Sequence, residues 1–207
     1  MAITTYIELQ TAVENWLHRS NLTARIPEFI TMGEAYLNRE VISPNMVQSA
    51  TVNTSTSDRF AALPPRCLNI LMLANQYGEK LAYADAGEVM AYSMDAPAGL
   101  PRNYSVTDQI EFDRVSDQVY PLSCKYRKRL DIAADSTNWL LTNHPDAYLY
   151  AALFSAAPYT KDDARAVMVK GLMDDAIRAV NHVKYRPTLR VDAALVRDGV
   201  FDIARGE

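Results

Sequence analysis

Apolar residues recur at helical spacing in two stretches near the start of the chain. In the first, one stripe advances in steps of three and four and comprises Tyr6, Leu9, Val13, Trp16 and Leu17. Thr5 and Glu8 have the spacing of a capping box at its start. After the polar break "HRSN", a second stripe comprises Ile26, Phe29, Ile30, Gly33 and Leu37, with Pro27 acceptable in a first turn. Together the stretches predict a helical hairpin.

The pattern changes between residues 43 and 135, where prolines and short runs of β-formers replace the helical period. We predict strands near residues 46–52, 68–73, 80–83, 103–106, 109–112 and 119–129, and one short helix within "ADAGEVMAYSMD". Along the last strand Tyr120, Leu122, Cys124 and Tyr126 alternate with Ser123, Lys125, Arg127 and Arg129. One face of that strand is therefore expected in a core and the other in solvent.

The stretch "TNWLLTNHPDAYLYAALFSAAPY" predicts a third helical region. Asn143 is the predicted cap, Pro145 suits a first helical turn, and Asp146 places negative charge at the positive end of the helix dipole. The helix that follows is apolar nearly all round, so we expect other elements to surround it and Pro158 to end it.

A fourth helix is predicted to open with Thr160 and Asp163 at capping-box spacing and to stop at Pro187. Its apolar seam comprises Ala166, Val169, Met173, Ala176, Val180 and Val183. The predicted fold is α+β, mainly α. In it, residues 1–42 and 136–187 form one helical bundle, residues 43–135 form a β-rich insertion, and residues 188–207 form an extended C-terminal arm.

Composition and charge narrow the functional classes. The 207 residues are 49% hydrophobic and 22% charged, which is ordinary for a protein with a real core. The formal net charge of −4 gives no global attraction to nucleic acid or to an anionic membrane, so any DNA contact must be local. Two cysteines, Cys67 and Cys124, are expected to be buried thiols. Since "MAITTYIELQ" is unlike a signal peptide and no apolar run reaches the length of a membrane span, we expect an intracellular product without a membrane partner.

Catalytic chemistry has few candidates in the sequence. No GxxxxGK[ST], GxGxxG, HExxH or CxxC motif is present, so the sequence lacks the usual motifs of nucleotide-binding proteins and of zinc hydrolases. We predict no enzyme, no cofactor and no metal, and expect solvated helix positions for a set of polar residues: His18, His144, His182, Asp162, Asp163, Asp174 and Asp175. The alternative left open is a small enzyme or co-chaperone using His144-Pro145-Asp146, a tripeptide also found in J-domain co-chaperones, where a basic helix precedes it.

Two segments are candidates for binding a partner. Lys125, Arg127 and Arg129 form a basic stripe that is either a solvated strand face or a surface meeting DNA or another chain. The C-terminal arm carries more apolar residues than a solvated tail needs, which predicts docking on another chain. Its predicted partner-binding residues are Leu189, Val191, Leu195, Val200, Phe201 and Ile203.

Three blocks taken together resemble the head-to-tail adaptor (connector) proteins of tailed bacteriophages. They are "TYIELQTAVENWLHRSNLTARIPEFITMGEAYLNREV", "GLPRNYSV" and "TNWLLTNHPDAYLYAALFSAAPYTKDDARA". The resemblance runs from about Thr5 to Arg186; the first and third blocks are the specific ones, and the middle of the chain fits in pattern more than in residues.

The resemblance implies a structural virion protein of the neck, assembled in the host cytoplasm. The expected assembly is a closed homo-oligomeric ring, a dodecamer, around a channel through which double-stranded DNA passes without sequence readout. One side would meet the portal, onto which the arm locks, and the other the tail tube, nozzle or stopper proteins. The alternative within this class is another neck or stopper protein of similar fold.

Overall fold

The computed structural model describes residues 3–161 and 163–182. The fold is α+β, as predicted. Seven α-helices lie in this described part: α1 Tyr6–Leu17, α2 Ile26–Glu40, α3 Ala86–Ser93, α4 Ile132–Asp135, α5 Trp139–Asn143, α6 Pro145–Thr160 and α7 Asp163–His182. The strands described are β1 Val47–Asn53, β2 Phe60–Ala61, β3 Cys67–Ala74, β4 Ala82–Tyr83, β5 Asn103–Val106, β6 Ile110–Phe112 and β7 Pro121–Lys128.

The start of α1 confirms the predicted capping box. Thr5 Oγ1 accepts a hydrogen bond from the Glu8 N–H (3.3 Å), and the Glu8 carboxylate accepts from the Thr5 N–H (3.0 Å). At the other end, His18 adopts a left-handed conformation that ends the helix. Trp16, in this last turn, belongs to the predicted stripe but is 41% exposed, and its ring packs edge-on with Tyr150.

Helix α6 lies at the centre of the helical part, as its apolar surface predicts. It contacts α1, α2, α5 and α7, and eight of its residues are buried: Ala147, Tyr148, Leu149, Ala151, Ala152, Leu153, Ala156 and Ala157. The closest approach is to α2, where a Cβ on Gly33 would lie only 2.7 Å from the carbonyl carbon of Ala151. Glycine at position 33 is therefore what lets the two helix backbones approach so closely.

The ends of α6 correct three predictions. Asn143 does not cap this helix: it lies in α5, where its Nδ2 donates to the Trp139 carbonyl (2.8 Å). Pro158 does not end α6, which continues to Thr160, because a proline so near the end removes only one hydrogen bond before Lys161 turns left-handed. Thr160 does not cap α7, since it belongs to α6 and its Oγ1 donates to Ala157 O.

The apolar seam of α7 is confirmed over most of its length. Val169, Met173, Ala176 and Val180 are buried, and Ala166 is partly buried. Val183, the predicted stop at Pro187 and the arm lie outside the described residues. No helix in the described part is long and apolar enough to span a membrane.

The strands form two sheets. The first has the order β1-β7-β3, with both edge strands antiparallel to β7, and the second has the order β2-β6-β5-β4. The predicted strands are confirmed with boundaries that shift by a few residues, whereas β2, only two residues long, was not predicted. Inward residues of both sheets form one hydrophobic cluster, and the predicted alternation of β7 is confirmed because Leu122, Cys124 and Tyr126 lie in it.

A second, larger hydrophobic cluster belongs to the helices. It also contains Met46, where the chain leaves the helices for the sheets, and Leu130 and Ile132, where it returns. The two passages of the chain are therefore held in the helical core, and the junction between the clusters lies beside the end of α2.

Candidate interaction surfaces

The His144-Pro145-Asp146 segment is a boundary between two helices. The His144 N–H donates to the Leu140 carbonyl (2.7 Å) at the end of α5, and His144 is also the residue before α6. Pro145 takes the first position of α6, and Asp146 lies exposed in its first turn. Within residues 3–161 and 163–182, no hydrogen bond or ion pair joins the His144 imidazole to Asp146 or to a nucleophile. The segment thus presents no assembled acid–base pair.

Metal ligands and reactive thiols were also candidates for chemistry. Among the described side chains, no group of three or more His, Cys, Asp or Glu could hold a metal ion, and Asp175 pairs with Arg178 on the exposed surface of α7 (2.8 Å). Burial raises the pKa of the Cys124 thiol to about 11 and also raises the pKa of Cys67. Both thiols are therefore protonated and poorly nucleophilic near neutral pH.

A buried polar chain joins α2, α5 and α6 where the β-rich residues rejoin the helices. Tyr148 Oη donates to Glu34 Oε1 (2.8 Å) and accepts from Asn138 Nδ2 (2.7 Å). The same Glu34 oxygen accepts from the Ile132 N–H (2.7 Å). Burial raises the pKa of Glu34, while the hydrogen bonds from Tyr148 and Ile132 oppose that rise. Each of these polar groups already has a hydrogen-bond partner. The buried polar chain therefore holds three helices together and does not offer a reactive carboxylate.

Asn38 of α2 binds the backbone of Leu130, where the polypeptide returns from the sheets to the helices. Its Nδ2 donates to the Leu130 carbonyl (3.1 Å) and its Oδ1 accepts from the Leu130 N–H (2.8 Å). Arg127 Nη2 adds bonds to the carbonyls of Asn38 (3.0 Å) and Val41 (3.1 Å), at the C-terminal end of α2 where a cation is favoured. These contacts lock β7 to the helical part.

The predicted basic stripe is thereby divided. Arg127 is partly buried with its guanidinium held by α2, whereas Lys125 and Arg129 are exposed. Neither Lys125 nor Arg129 forms a salt bridge with any carboxylate in the described part of the chain. The sequence alternation found the right face of the strand. Arg129 interacts electrostatically with Glu34, and the Lys125 side chain has no hydrogen bond or ion pair with a described residue.

A cleft of about 580 Å³ lies beside this junction. Its lining includes Leu68 of β3 and Arg129, together with the acidic residues Glu34 and Asp131. The cleft is continuous with the outer face of the first sheet through Leu68, so that face and the junction form one surface.

Two β-bulges shape that outer face. The pairing of β3 with β7 skips Leu68 and Leu71, and these two leucines are 38% and 49% exposed. A bulge redirects the side chain of the extra residue, which here turns Leu71 outward beside Lys125 and Leu68 outward in the cleft that Arg129 also lines. The three strands of this sheet contain no Asp or Glu, whereas the whole chain carries a net charge of −4. We call this surface, made of Lys125, Arg129, Leu68, Leu71 and Val47, the basic sheet face.

Helix α3 presents a surface of opposite charge. Val89 is fully buried beneath the helix, while Met90 and Met94 are 52% and 73% exposed on the other side. Glu88 and Asp95 are also exposed, and neither forms a salt bridge with another described residue. Met90, Met94, Glu88 and Asp95 form what we call the acidic α3 face. Sequence reasoning placed the helix but missed this face, for which the adjacent acidic and methionine residues were the signal.

The predicted partner-binding residues of the arm lie outside the described residues. The family model described as SU10 adaptor protein matches residues 4–195 of the chain. No curated protein matches the chain.

Proposed function

Because the chain belongs to the SU10 adaptor family, a family of phage head-to-tail adaptor proteins, we propose that this structural virion protein forms a ring joining the portal to the tail. The family match over residues 4–195 is the observation that carries the proposal. The family is not an enzyme family, and the boundary role of His144 and Asp146 agrees with an architectural protein.

The proposed division of labour within the subunit follows its two hydrophobic clusters. Residues 1–42 and 136–187 make one helical bundle centred on α6, and residues 43–135 make a β-rich insertion with its own core. Support comes from the separation of the helical cluster from the cluster of the sheets. The polar bonds of Asn38 and Arg127 fix the insertion relative to the bundle, so that the subunit presents both as one rigid unit.

The proposed assembly is a closed dodecameric ring located in the virion neck and formed in the host cytoplasm. Copies in a ring meet through two different surfaces of each subunit, because one surface of a copy contacts another surface of the next. Double-stranded DNA passes through the central channel without sequence readout. The net charge of −4 supports passage, since a net acidic subunit gains little from releasing the counterions of DNA.

The C-terminal arm is the proposed portal-binding element, and tail tube, nozzle or stopper proteins bind the opposite side of the ring. The support for the arm is its sequence alone, in which Leu189, Val191 and Leu195 alternate with other residues ahead of an apolar group at Val200, Phe201 and Ile203. Of the basic stripe, the exposed Lys125 and Arg129 remain candidates for contact with DNA or with a neighbouring copy, while the Arg127 guanidinium is bonded to the end of α2.

The test is reconstitution with the purified portal of the same phage, followed by negative-stain microscopy. We expect an adaptor ring on the portal, and its loss when residues 188–207 are removed while the helical content is retained. Failure of the intact chain to bind portal or to form rings in its presence would refute the proposal. Binding only to a portal that already carries another neck protein would instead identify a stopper.

A further inference from the structure

The basic sheet face has features of a surface made for contact with protein. Its two leucines are exposed because β3 is bulged at those positions, and bulges of this kind re-aim side chains at sheet edges. Lys125 and Arg129 lie beside them and form no salt bridge with a carboxylate of the described residues, although Arg129 interacts electrostatically with Glu34. Exposed apolar groups bordered by unpaired charges of one sign are typical of an interface core and its rim.

The acidic α3 face has the complementary chemistry. Met90 and Met94 are one helical turn apart and so lie on the same side of α3, and methionine is enriched in interfaces because its flexible side chain fits irregular surfaces. Gly87 and Ala91, on the same side of the helix, are exposed and small, and a Cβ on Gly87 would meet nothing closer than the Asp85 side chain at 3.4 Å. The centre of the face is therefore open to a bulky partner group, while Glu88 and Asp95 supply negative charge at its border.

We propose that the acidic α3 face of one copy packs on the basic sheet face of the next copy, an inference that rests on the proposed ring. Met90 and Met94 cover Leu68 and Leu71, and Glu88 and Asp95 face Lys125 and Arg129. The two faces are different surfaces of one subunit, which is what the contact between successive copies in a ring requires. Opposite charges also disfavour the two self-pairings, sheet face on sheet face and α3 on α3.

Another exposed apolar surface is less selective. Helix α7 exposes Val167, Met168 and Leu172, but its neighbouring charges are of both signs, as with Lys170 and Asp175. Charge therefore selects no particular partner for α7. On the sheet face, by contrast, the leucines between the cations favour a protein surface over the phosphates of DNA, which offer no apolar groups to cover them.

The test is a charge exchange, read out as the fraction of portal particles that carry an adaptor ring. Lys125→Glu and Glu88→Lys should each lower this fraction by about tenfold or more, since like charges then face each other at every contact of the ring. The double variant should restore rings. An equimolar mixture of the two single variants should also restore them, because in an alternating ring every contact pairs a lysine with a glutamate.

Controls separate this contact from general effects of charge. Arg19→Glu makes the same change in charge at an exposed site between α1 and α2 and should assemble normally. Thermal melts of each variant establish that the fold is kept.

The possible outcomes separate the contact from the ring itself. Normal rings from Lys125→Glu, or lost rings that neither the double variant nor the mixture restores, would overturn the proposed contact and leave the adaptor function standing. Normal rings with reduced DNA retention in virions would assign the sheet face to DNA and likewise overturn it. If the unaltered chain forms no ring on the portal, the proposed function fails first and the contact with it.

Discussion

Replacing Tyr148 with Phe removes one oxygen atom from the buried polar chain and leaves the aromatic ring in place. In the intact protein that oxygen donates to Glu34 Oε1 (2.8 Å) and accepts from Asn138 Nδ2 (2.7 Å). After the change, Glu34 retains only the bond from the Ile132 N–H, and the Asn138 amide loses its acceptor. The variant therefore isolates the polar contribution of the junction from its packing.

The expected loss of stability is about 2–3 kcal/mol. The Tyr148 hydroxyl takes part in two buried hydrogen bonds worth roughly 0.5–1.5 kcal/mol each, and a buried partner left without its bond cannot recover that energy from water. For a chain of this size, the loss corresponds to a fall in melting temperature of roughly 4–12 °C.

Urea unfolding followed by circular dichroism measures the loss directly. Tyr159→Phe is the matched control because it deletes the same atom from an exposed side chain whose ring packs on Phe29, and it should change stability by less than about 0.5 kcal/mol. Combining Tyr148→Phe with Glu34→Gln should give a coupling energy of at least about 0.5 kcal/mol. Equal stability of Tyr148→Phe and Tyr159→Phe would refute the structural role assigned to the buried polar chain.

Three further predictions follow from close packing, buried charge and buried thiols. Gly33→Ala should destabilise the protein by about 1–3 kcal/mol because the new Cβ meets the Ala151 backbone, whereas Gly171→Ala, which meets nothing within 4 Å, should stabilise α7 by about 0.5–1 kcal/mol in chemical unfolding. The stability contribution of Glu34, whose pKa is raised in the folded state, should be fully present below the pKa of the unfolded carboxyl and lost as pH rises through the folded pKa. The difference in unfolding free energy between the intact chain and Glu34→Gln, measured from about pH 4 to 8, should therefore shrink with rising pH. With maleimide, peptide mapping by mass spectrometry should show Cys67 modified before the fully buried Cys124.

Each of these has a clear contrary result. A Gly33→Ala variant as stable as the parent would mean that α2 and α6 can separate without cost. A pH-independent difference for Glu34→Gln would place its carboxylate in water, and faster labelling of Cys124 than of Cys67 would show that the sheet cluster opens readily.

The spacing of apolar residues predicted the elements that are long enough to show a repeat. The stripe from Leu9 to Leu17 and the capping box of Thr5 define α1, and the all-round apolar surface of α6 identified the central helix. Helices α4 and α5 were not predicted because four or five residues make less than two turns. Their capping residues, Asp131 and Asn138, were nevertheless visible in the sequence. Strand β2, with two residues, has no period at all.

The surfaces that bind partners depend on contacts that sequence spacing does not encode. Alternation put Arg127 on the outer face of β7, but whether it stays in solvent depended on the end of α2 lying within reach of its guanidinium. In β3 the run of apolar residues gave no means to tell which leucines point outward, because the bulges at Leu68 and Leu71 break the two-residue period. Glu34 was not singled out from the sequence, because its partner Tyr148 lies in another helix and no spacing links the two residues.

The polar bond between Glu34 and Tyr148 joins residues 114 positions apart. A ribosome adding 5–20 residues per second synthesises α2 roughly 6–23 s before Tyr148, which covers it. During that time the side of α2 that is buried in the folded protein, with Phe29 and Ile30, lacks the contacts of α6. The sheets are synthesised in this interval and complete their own hydrophobic cluster without the last two helices. The nascent chain therefore emerges with its first helices exposed to chaperones, and late translation of α6 is the event that ends this exposure.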